Sequence, residues 1–510
     1  MGKVWALGFA CWLLVSPLVL AQSLPGPPEC KADTMKKIAF GVGSSAAQSE
    51  GAAAVGGRSP SVWDVFAKQP GKIQDGSSPA VATDFFNKYK QDIALMKSMG
   101  VKNFRMSISW SRLLPQAVKG SSPSSDGVKF YRAVFKELKD NGIEPAVTLY
   151  HWDMPQVLQD KYQGFIDRQI IEDFTYYADV AFKTFGDQVK KWTTFNEPWV
   201  TCNLQYGNGD FAPGVQYGDS GKWKCGHNLL LAHANAVRLF RQKYNSDKKG
   251  RIGMALWSEW SEPWTDKFED KRAAQNKIDI DFGWFADAIH FGDYPAQAKK
   301  TQSAFLPVFT EEEKKLLRRS YDYMGLTIYT AKFASEVPGN PNGWWVRTTD
   351  VNGKVVGQQA ESYWLYNVPW SINRMLTYMK NRYDNPYIWV LENGISEKGE
   401  GNRVGMGPDT LRDPLRTDYF RGYISEACKA VESNGVRLTH YFAWSFTDNW
   451  EWREGFKTRF GVVRIDFANP QLPRGIKDSG RWLSEHVFKK SGQTKQVGEV
   501  LNFDELGAAC

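Results

Sequence analysis

The 510-residue sequence contains no run of five or six like charges, no Asn-x-Ser/Thr sequon, no internal repeat and no linker-like low-complexity stretch. The first absence argues against a nucleic-acid partner, because phosphate recognition needs clustered Lys and Arg. The net charge of +8 comes instead from 64 basic and 56 acidic residues scattered along the chain, which is a solvated surface. Without a sequon, passage through a secretory route would bring no N-linked glycan. Without repeats or linkers, the chain reads as one domain. Long apolar runs are also missing, with one exception at the start. Val4 to Leu20 is apolar, follows a single Lys, and ends in Val19-Leu20-Ala21 before Gln22. The run is slightly short for a membrane span and carries Pro17 near its end. The small residues Val19 and Ala21 suit signal peptidase. The expected organisation is therefore a signal peptide at 1–21 and an exported domain at 22–510, with no membrane attachment after cleavage.

Cysteine is scarce. Cys11 would leave with the signal, so Cys30, Cys202, Cys225, Cys428 and Cys510 remain. Five is odd, so at least one is free or pairs with another chain. Cys202 and Cys225 flank the Gly-rich stretch "GNGDFAPGVQYGDSGKWK" and form the expected disulfide. Their spacing fits no metal site, and the connectivity of the other three stays open.

What the sequence does have is a core. It is 42% hydrophobic and 24% charged, with 21 Trp, 21 Tyr and 30 Phe. Flat rings can cover a pyranose face, although large cores use aromatics too. Eight short β-rich runs stand out: "KKIAFGVGSS", "VKNFRMSIS", "EPAVTLYHW", "KKWTTFN", "GRIGMALWS", "YDYMGLTIYT", "PYIWVLEN" and "LTHYFAWSFTD". Between them lie segments with apolar residues three and four apart, such as Phe85, Phe86, Tyr89, Ile93, Met96 and Val128, Tyr131, Phe135, Leu138. Strands alternating with helices make parallel βαβ units, and eight of them point to a single (β/α)8 barrel of the TIM type. The long pieces Trp199 to Lys224 and Lys332 to Ser362 are then expected to be loops over the barrel mouth.

Chemistry in such barrels sits at the C-terminal strand ends. There the fourth and seventh runs both turn polar, in "TTFNEPWV" with Asn196 and Glu197 and in "IWVLENGIS" with Glu392 and Asn393. Two carboxylates across one mouth can cleave a glycosidic bond, one as acid and the other as nucleophile or base, provided their environments hold them in different protonation states.

The words around these glutamates resemble glycoside hydrolase family 1, the retaining β-glucosidase family. The resemblance runs from "FGVGSSAAQSEGA" through "FRMSISWSRLLP", "VTLYHWDMP", "TFNEPW", "FGDYP", "LENGIS" and "DNWEWREGF" to "RFGVVRIDF". It implies that Glu197 is the general acid/base and Glu392 the nucleophile of a double displacement. It also implies that Asn196 holds the sugar 2-hydroxyl, and that Arg105 and Tyr329 orient Glu392. Gln48, His151, Trp444, Glu451, Trp452 and Phe460 would then form the sugar cradle. A carboxylate at Glu451 accepts from sugar hydroxyls and would repel a phosphate. The implied substrate is a small β-glycoside or oligosaccharide, with no cofactor and no metal. The chain departs from the family pattern at Thr327 and Trp257, where Asn is usual, and "TDFFNKYKQDI" lacks a histidine often found there. Plant myrosinases carry Gln at the position of Glu197, so the chain differs from them. Transfer to an alcohol or sugar acceptor, a thioglucosidase of another lineage and a catalytically silent glycan-binding relative are the alternatives.

Overall fold

The structure is a computed structural model that describes residues 24–491; the expected signal peptide and Cys510 lie outside the described residues. Each of the eight runs forms a strand: β1 (Ala39–Gly43), β2 (Asn103–Ser107), β3 (Glu144–Tyr150), β4 (Lys191–Asn196), β5 (Arg251–Pro263), β6 (Tyr323–Val337), β7 (Ile388–Asn393) and β8 (Leu438–Trp444). All eight pair parallel, in chain order. β7 pairs with β6 (Ile388↔Met324), and β8 returns to β1 from Ala39↔His440 to Gly43↔Trp444. The ring is closed, and the expected (β/α)8 barrel is the fold.

The strands are buried on both faces, which is why they read as near-continuous apolar runs rather than alternating ones. Helices cover the outside. The helix Ser125–Asp140 shows how the sequence makes one. The Ser124 hydroxyl accepts from the Gly127 N–H at 3.2 Å, and Phe130, Tyr131, Val134, Phe135 and Leu138 form its buried stripe. Gly142 follows at φ +71°, a left-handed turn that leads into β3 and that glycine adopts without a Cβ penalty. One large apolar cluster fills the space between strands and helices. A smaller one, Ala146, Ala255, Tyr323, Trp389, Leu391 and Phe442, fills the inside of the ring below the mouth. In it the Tyr323 and Trp389 rings stack with centroids 3.6 Å apart.

Two expectations about the mouth need correction. Trp199 to Lys224 is not simply a loop. It begins in a short helix and a π-helical segment, Thr201–Gly207, and a 22-residue helix already starts at Gly218. Gly218 and Gly221 in the first turn of that helix hide its pattern, because glycine reads as a breaker. The Cys202–Cys225 disulfide, expected from the sequence, ties the two helical pieces together. Nor is Lys332 to Ser362 all loop. β6 runs 15 residues, out beyond the barrel, and pairs antiparallel with a ribbon strand, Asn340–Arg347. The turn residues Pro338, Gly339 and Asn340 mark a hairpin there rather than an irregular crossing. A second disulfide, Cys30–Cys428, fastens the start of the described chain to the helix Pro414–Asn434. Among the described residues, no helix is long and apolar enough to cross a membrane.

Candidate active site

Both glutamates sit where a strand loses its register. The β4–β5 pairing slips between Thr193 and Asn196. β7 slips between Val390 and Glu392 against β6, and between Val390 and Asn393 against β8. An extra residue at such a bulge re-aims the side chains that follow it, here toward the mouth. Glu197 itself is left-handed at φ +46°, its N–H donates to the Ala255 carbonyl at 2.9 Å, and Pro198 then opens a helical turn. Holding a non-glycine residue there costs ~1–3 kcal/mol, which surrounding packing must supply. Gly394 closes the other end: a Cβ on it would run into the Trp444 carbonyl, so only glycine lets β7 and β8 approach this closely beneath Glu392.

Glu392 is held on both oxygens. Arg105 Nη1 donates to Oε1 at 2.5 Å, and the Tyr329 hydroxyl donates to Oε2 at 2.6 Å. Arg105 Nη2 also donates to Asn196 Oδ1 at 2.6 Å. That bond fixes the amide, because a guanidinium can only donate, so the Nδ2 of Asn196 faces His151 Nε2 at 3.1 Å. Nε2 therefore accepts, and the imidazole proton sits on Nδ1. Burial, and then the Arg105 charge, push the His151 pKa well below its ordinary value and keep the ring neutral. Its Nε2 lies 3.9 Å from Glu392 Oε1.

Glu197 has the opposite surroundings. Among the described residues no cation lies within salt-bridge distance of it. Burial first, then the negative charge of Glu392, raise its pKa from 4.5 to about 8, against smaller pulls from the nearby Thr327 hydroxyl and the Arg105 charge. At neutral pH it carries a proton. Thr327, noted above as a departure, thus stands beside Glu197.

Of the remaining expected residues, His151, Trp444, Glu451, Trp452 and Phe460 line one cavity of about 800 Å³ with Glu197 and Glu392, and Gln48 is hydrogen-bonded to its Glu451. Gln48 Nε2 donates to Glu451 Oε2 at 3.2 Å, and Ser45 Oγ donates to Gln48 Oε1 at 2.7 Å, so the amide orientation is set from both ends. Burial, then the charges of Glu454, Glu392 and Glu197, push the Glu451 carboxyl well above its usual range. The Trp444 and Trp452 rings lie nearly parallel to His151 at 5.8 and 6.0 Å, and Phe460 meets the Tyr329 ring edge-on at 6.2 Å. All of the sequence-named residues thus fall in one neighbourhood.

The tryptophans of the stretches "WSEWSEPWTD" and "GNPNGWWVRTTD" read in the sequence as able to stack on an aryl group or a second sugar, and Trp257 and Trp344 do line the cavity; the charged residues beside them were missed. Trp152, whose Nε1 donates to the Asn196 carbonyl at 3.0 Å, belongs to the inner half. Outside Glu197 the wall is Trp199, Trp257, Glu259, Lys277, Asp281 and Lys332, with Trp344 and Trp364 nearer the rim. Lys277 and Asp281 are four apart on helical turns and read as an ordinary surface pair. Glu259 and Lys332 face the cavity only because β5 and β6 extend beyond the barrel.

Two carboxyls, one clamped by a guanidinium and a phenol and one kept neutral, facing a polar cradle with an aromatic floor, suit hydrolysis of a neutral sugar glycoside. The comparisons with known proteins agree. The model of glycosyl hydrolase family 1 matches residues 31–492. β-Glucosidase 12 of Oryza sativa subsp. indica is 40% identical over 507 residues, covering 94% of this chain and 98% of that protein. A rice β-glucosidase mutant, solved in a covalent complex with Glc, superposes with a TM-score of 0.86 at 35% identity, over 92% of this chain and 100% of that one. An aphid myrosinase superposes with a TM-score of 0.82 at 30% identity, over 89% of this chain and 98% of that one. By the family match, the identity and the shared barrel, the chain belongs to glycosyl hydrolase family 1.

Proposed function

We propose that the chain is an exported retaining β-glucosidase acting by double displacement. Glu392 attacks the anomeric carbon and forms a glycosyl ester, while Glu197 passes its proton to the departing oxygen. Water then attacks the same carbon, Glu197 takes up a proton from that water, and the Glu392 carboxylate is released. The observation that carries this reading is the split between the two carboxyls: Arg105 and Tyr329 hold Glu392, whereas Glu197 has no cation and is pushed up to about 8. Asn196, fixed by Arg105, meets the 2-hydroxyl, a contact that strengthens as charge develops on the ring. Gln48, His151 and Glu451 take the other hydroxyls, and Trp444, Trp452 and Phe460 form the apolar floor. Cleavage after Ala21 and export are in keeping with two disulfides, which persist in oxidising compartments.

A thioglucosidase is the second reading, prompted by the aphid myrosinase. A thiolate leaves with little acid assistance, so a carboxyl kept protonated at neutral pH favours an oxygen leaving group. The test is mass spectrometry after reaction with an activated 2-deoxy-2-fluoro-β-glucoside, which slows ester hydrolysis more than its formation. One fluoro-sugar on the peptide that contains Glu392 is expected. Turnover with no adduct, or an adduct elsewhere, would refute the nucleophile assignment.

A further inference from the structure

Immediately outside Glu197 the cavity changes character. The half-buried Trp199 and Trp257 rings stack with centroids 4.3 Å apart and planes 23° apart. Beside them four charges interlock. Lys277 Nζ lies 2.6 Å from Asp281 Oδ2, 3.5 Å from Glu259 Oε2 and 5.8 Å from the Trp257 ring centre. Lys332 Nζ lies 3.0 Å from Glu259 Oε1, and Trp199 Nε1 donates to Asp281 Oδ1 at 3.1 Å. All six residues line the catalytic cavity. Trp257 sits in register with Thr327, whose hydroxyl lies near Glu197, so the wall starts beside the acid itself.

We infer that this wall selects a neutral, polyhydroxylated leaving group, a second sugar, over an aryl one. The inference rests on the β-glucosidase reading and assigns to Glu259, Lys332 and Trp257 the choice of leaving group. Two cations and two anions balance, so a charged leaving group would find its counter-charge already taken. An aryl group would stack on the rings equally well. It would, however, cover the acceptor and donor positions that Glu259, Asp281 and Lys332 do not use on one another, and leaving such positions without a hydrogen bond is costly. A pyranose satisfies both halves of the wall. Its C–H face lies on the indoles, its hydroxyls donate to the oxygens of Glu259 and Asp281, and its oxygens accept from Lys332.

The test compares kcat/KM for p-nitrophenyl β-glucoside with that for sophorose, laminaribiose, cellobiose and gentiobiose, in the wild type, Glu259→Gln and Lys332→Met. Glu259→Gln is isosteric and the Lys332 side chain keeps 18% of its surface exposed, so both variants are expected to fold. A thermal melt and the retained aryl activity check that. The wild type should cleave at least one disaccharide. Each variant should lose ~10-fold or more on that disaccharide, chiefly in KM, and less than ~3-fold on the aryl glucoside. Equal losses on both substrates would overturn the inference, as would a wild type that cleaves the aryl glucoside and no disaccharide; either outcome leaves the glucosidase reading standing. A wild type inert on all five substrates would refute the glucosidase reading and the inference with it.

Discussion

Two buried clusters in this molecule each contain three carboxyls, and they differ in their cations. Glu400, Asp413 and Asp448 are met by Arg416, Lys477 and Arg459. Arg416 lies 2.6 Å from both Glu400 and Asp413, Lys477 lies 2.6 Å from Asp448 and also touches Glu400, and Arg459 lies 3.7 Å from Asp448. Burial pushes Glu400 up, but Arg416 and Lys477 outweigh it and hold its pKa down to about 2. In the catalytic cluster, Glu197, Glu392 and Glu451 have one guanidinium, Arg105, and it is committed to Glu392. Glu197 rises to about 8 and Glu451 goes well above its usual range. Burial raises Asp413 in the first cluster too, to about 6, but Arg416 and Lys477 hold it below neutral, whereas the carboxyls without a paired cation rise further. The first cluster serves the second, since Asp448 accepts from the Gly461 and Ile465 N–H groups and so braces the segment that carries Glu451, Trp452 and Phe460.

The comparison can be broken at its strongest point by Glu392→Gln. Removing a covalent nucleophile should cost ~10⁵-fold or more in kcat on any β-glucoside, measured with the activated aryl substrate. Next comes Glu197→Gln, which should cost ~10²–10⁴-fold on poor leaving groups and far less in the first step with an activated one. The same change should stabilise the protein. The folded chain keeps this proton up to pH about 8, whereas the unfolded chain releases it near 4.5. The native state thus binds more protons in that window, and wild-type stability falls as pH rises through it. At pH 7 the glutamine variant should therefore be more stable by up to ~3 kcal/mol, an advantage that disappears below pH 4.5. Denaturant melts at the two pH values check the sign.

Arg416→Met probes the compensated cluster in the other direction. It takes away the guanidinium that Glu400 and Asp413 share, leaving Glu400 only Lys477 and Asp413 only Ser479, and should cost ~3–5 kcal/mol in a denaturant melt. If it left stability unchanged while Glu197→Gln lowered it, the contrast between the clusters would be wrong. The smallest effect is a pH limb. For a poor leaving group, kcat/KM should fall above pH about 8 as Glu197 loses its proton, and that limb should vanish in Glu197→Gln.

The sequence made the barrel and the inner cavity legible, and it did so for a physical reason. Strands buried on both faces must be apolar, so a polar break such as Asn196-Glu197 or Glu392-Asn393 is conspicuous at a strand end. Arg105, His151 and Gln48 were recoverable only through the family resemblance, because a buried Arg or His carries no period of its own. Of the outer wall only the tryptophans of "WSEWSEPWTD" and "GNPNGWWVRTTD" stood out, and its charges did not. Glu259 and Lys332 depend on how far β5 and β6 outrun the ring, and Lys277 looks like any helical lysine four residues from an aspartate. The body of the helix from Gly218 was legible in "NLLLAHANAVRLFRQKY", but its first turns and the ribbon Asn340–Arg347 escaped because glycine and proline mark turns without saying what the turns connect.

The central claim is that Glu392 and Glu197 act in two successive displacements at one anomeric carbon. The most direct measurement is proton NMR of the mature chain acting on an aryl β-glucoside, recording the first glucose formed before mutarotation. The account predicts early β-glucose; early α-glucose would mean a single inverting displacement and would contradict it.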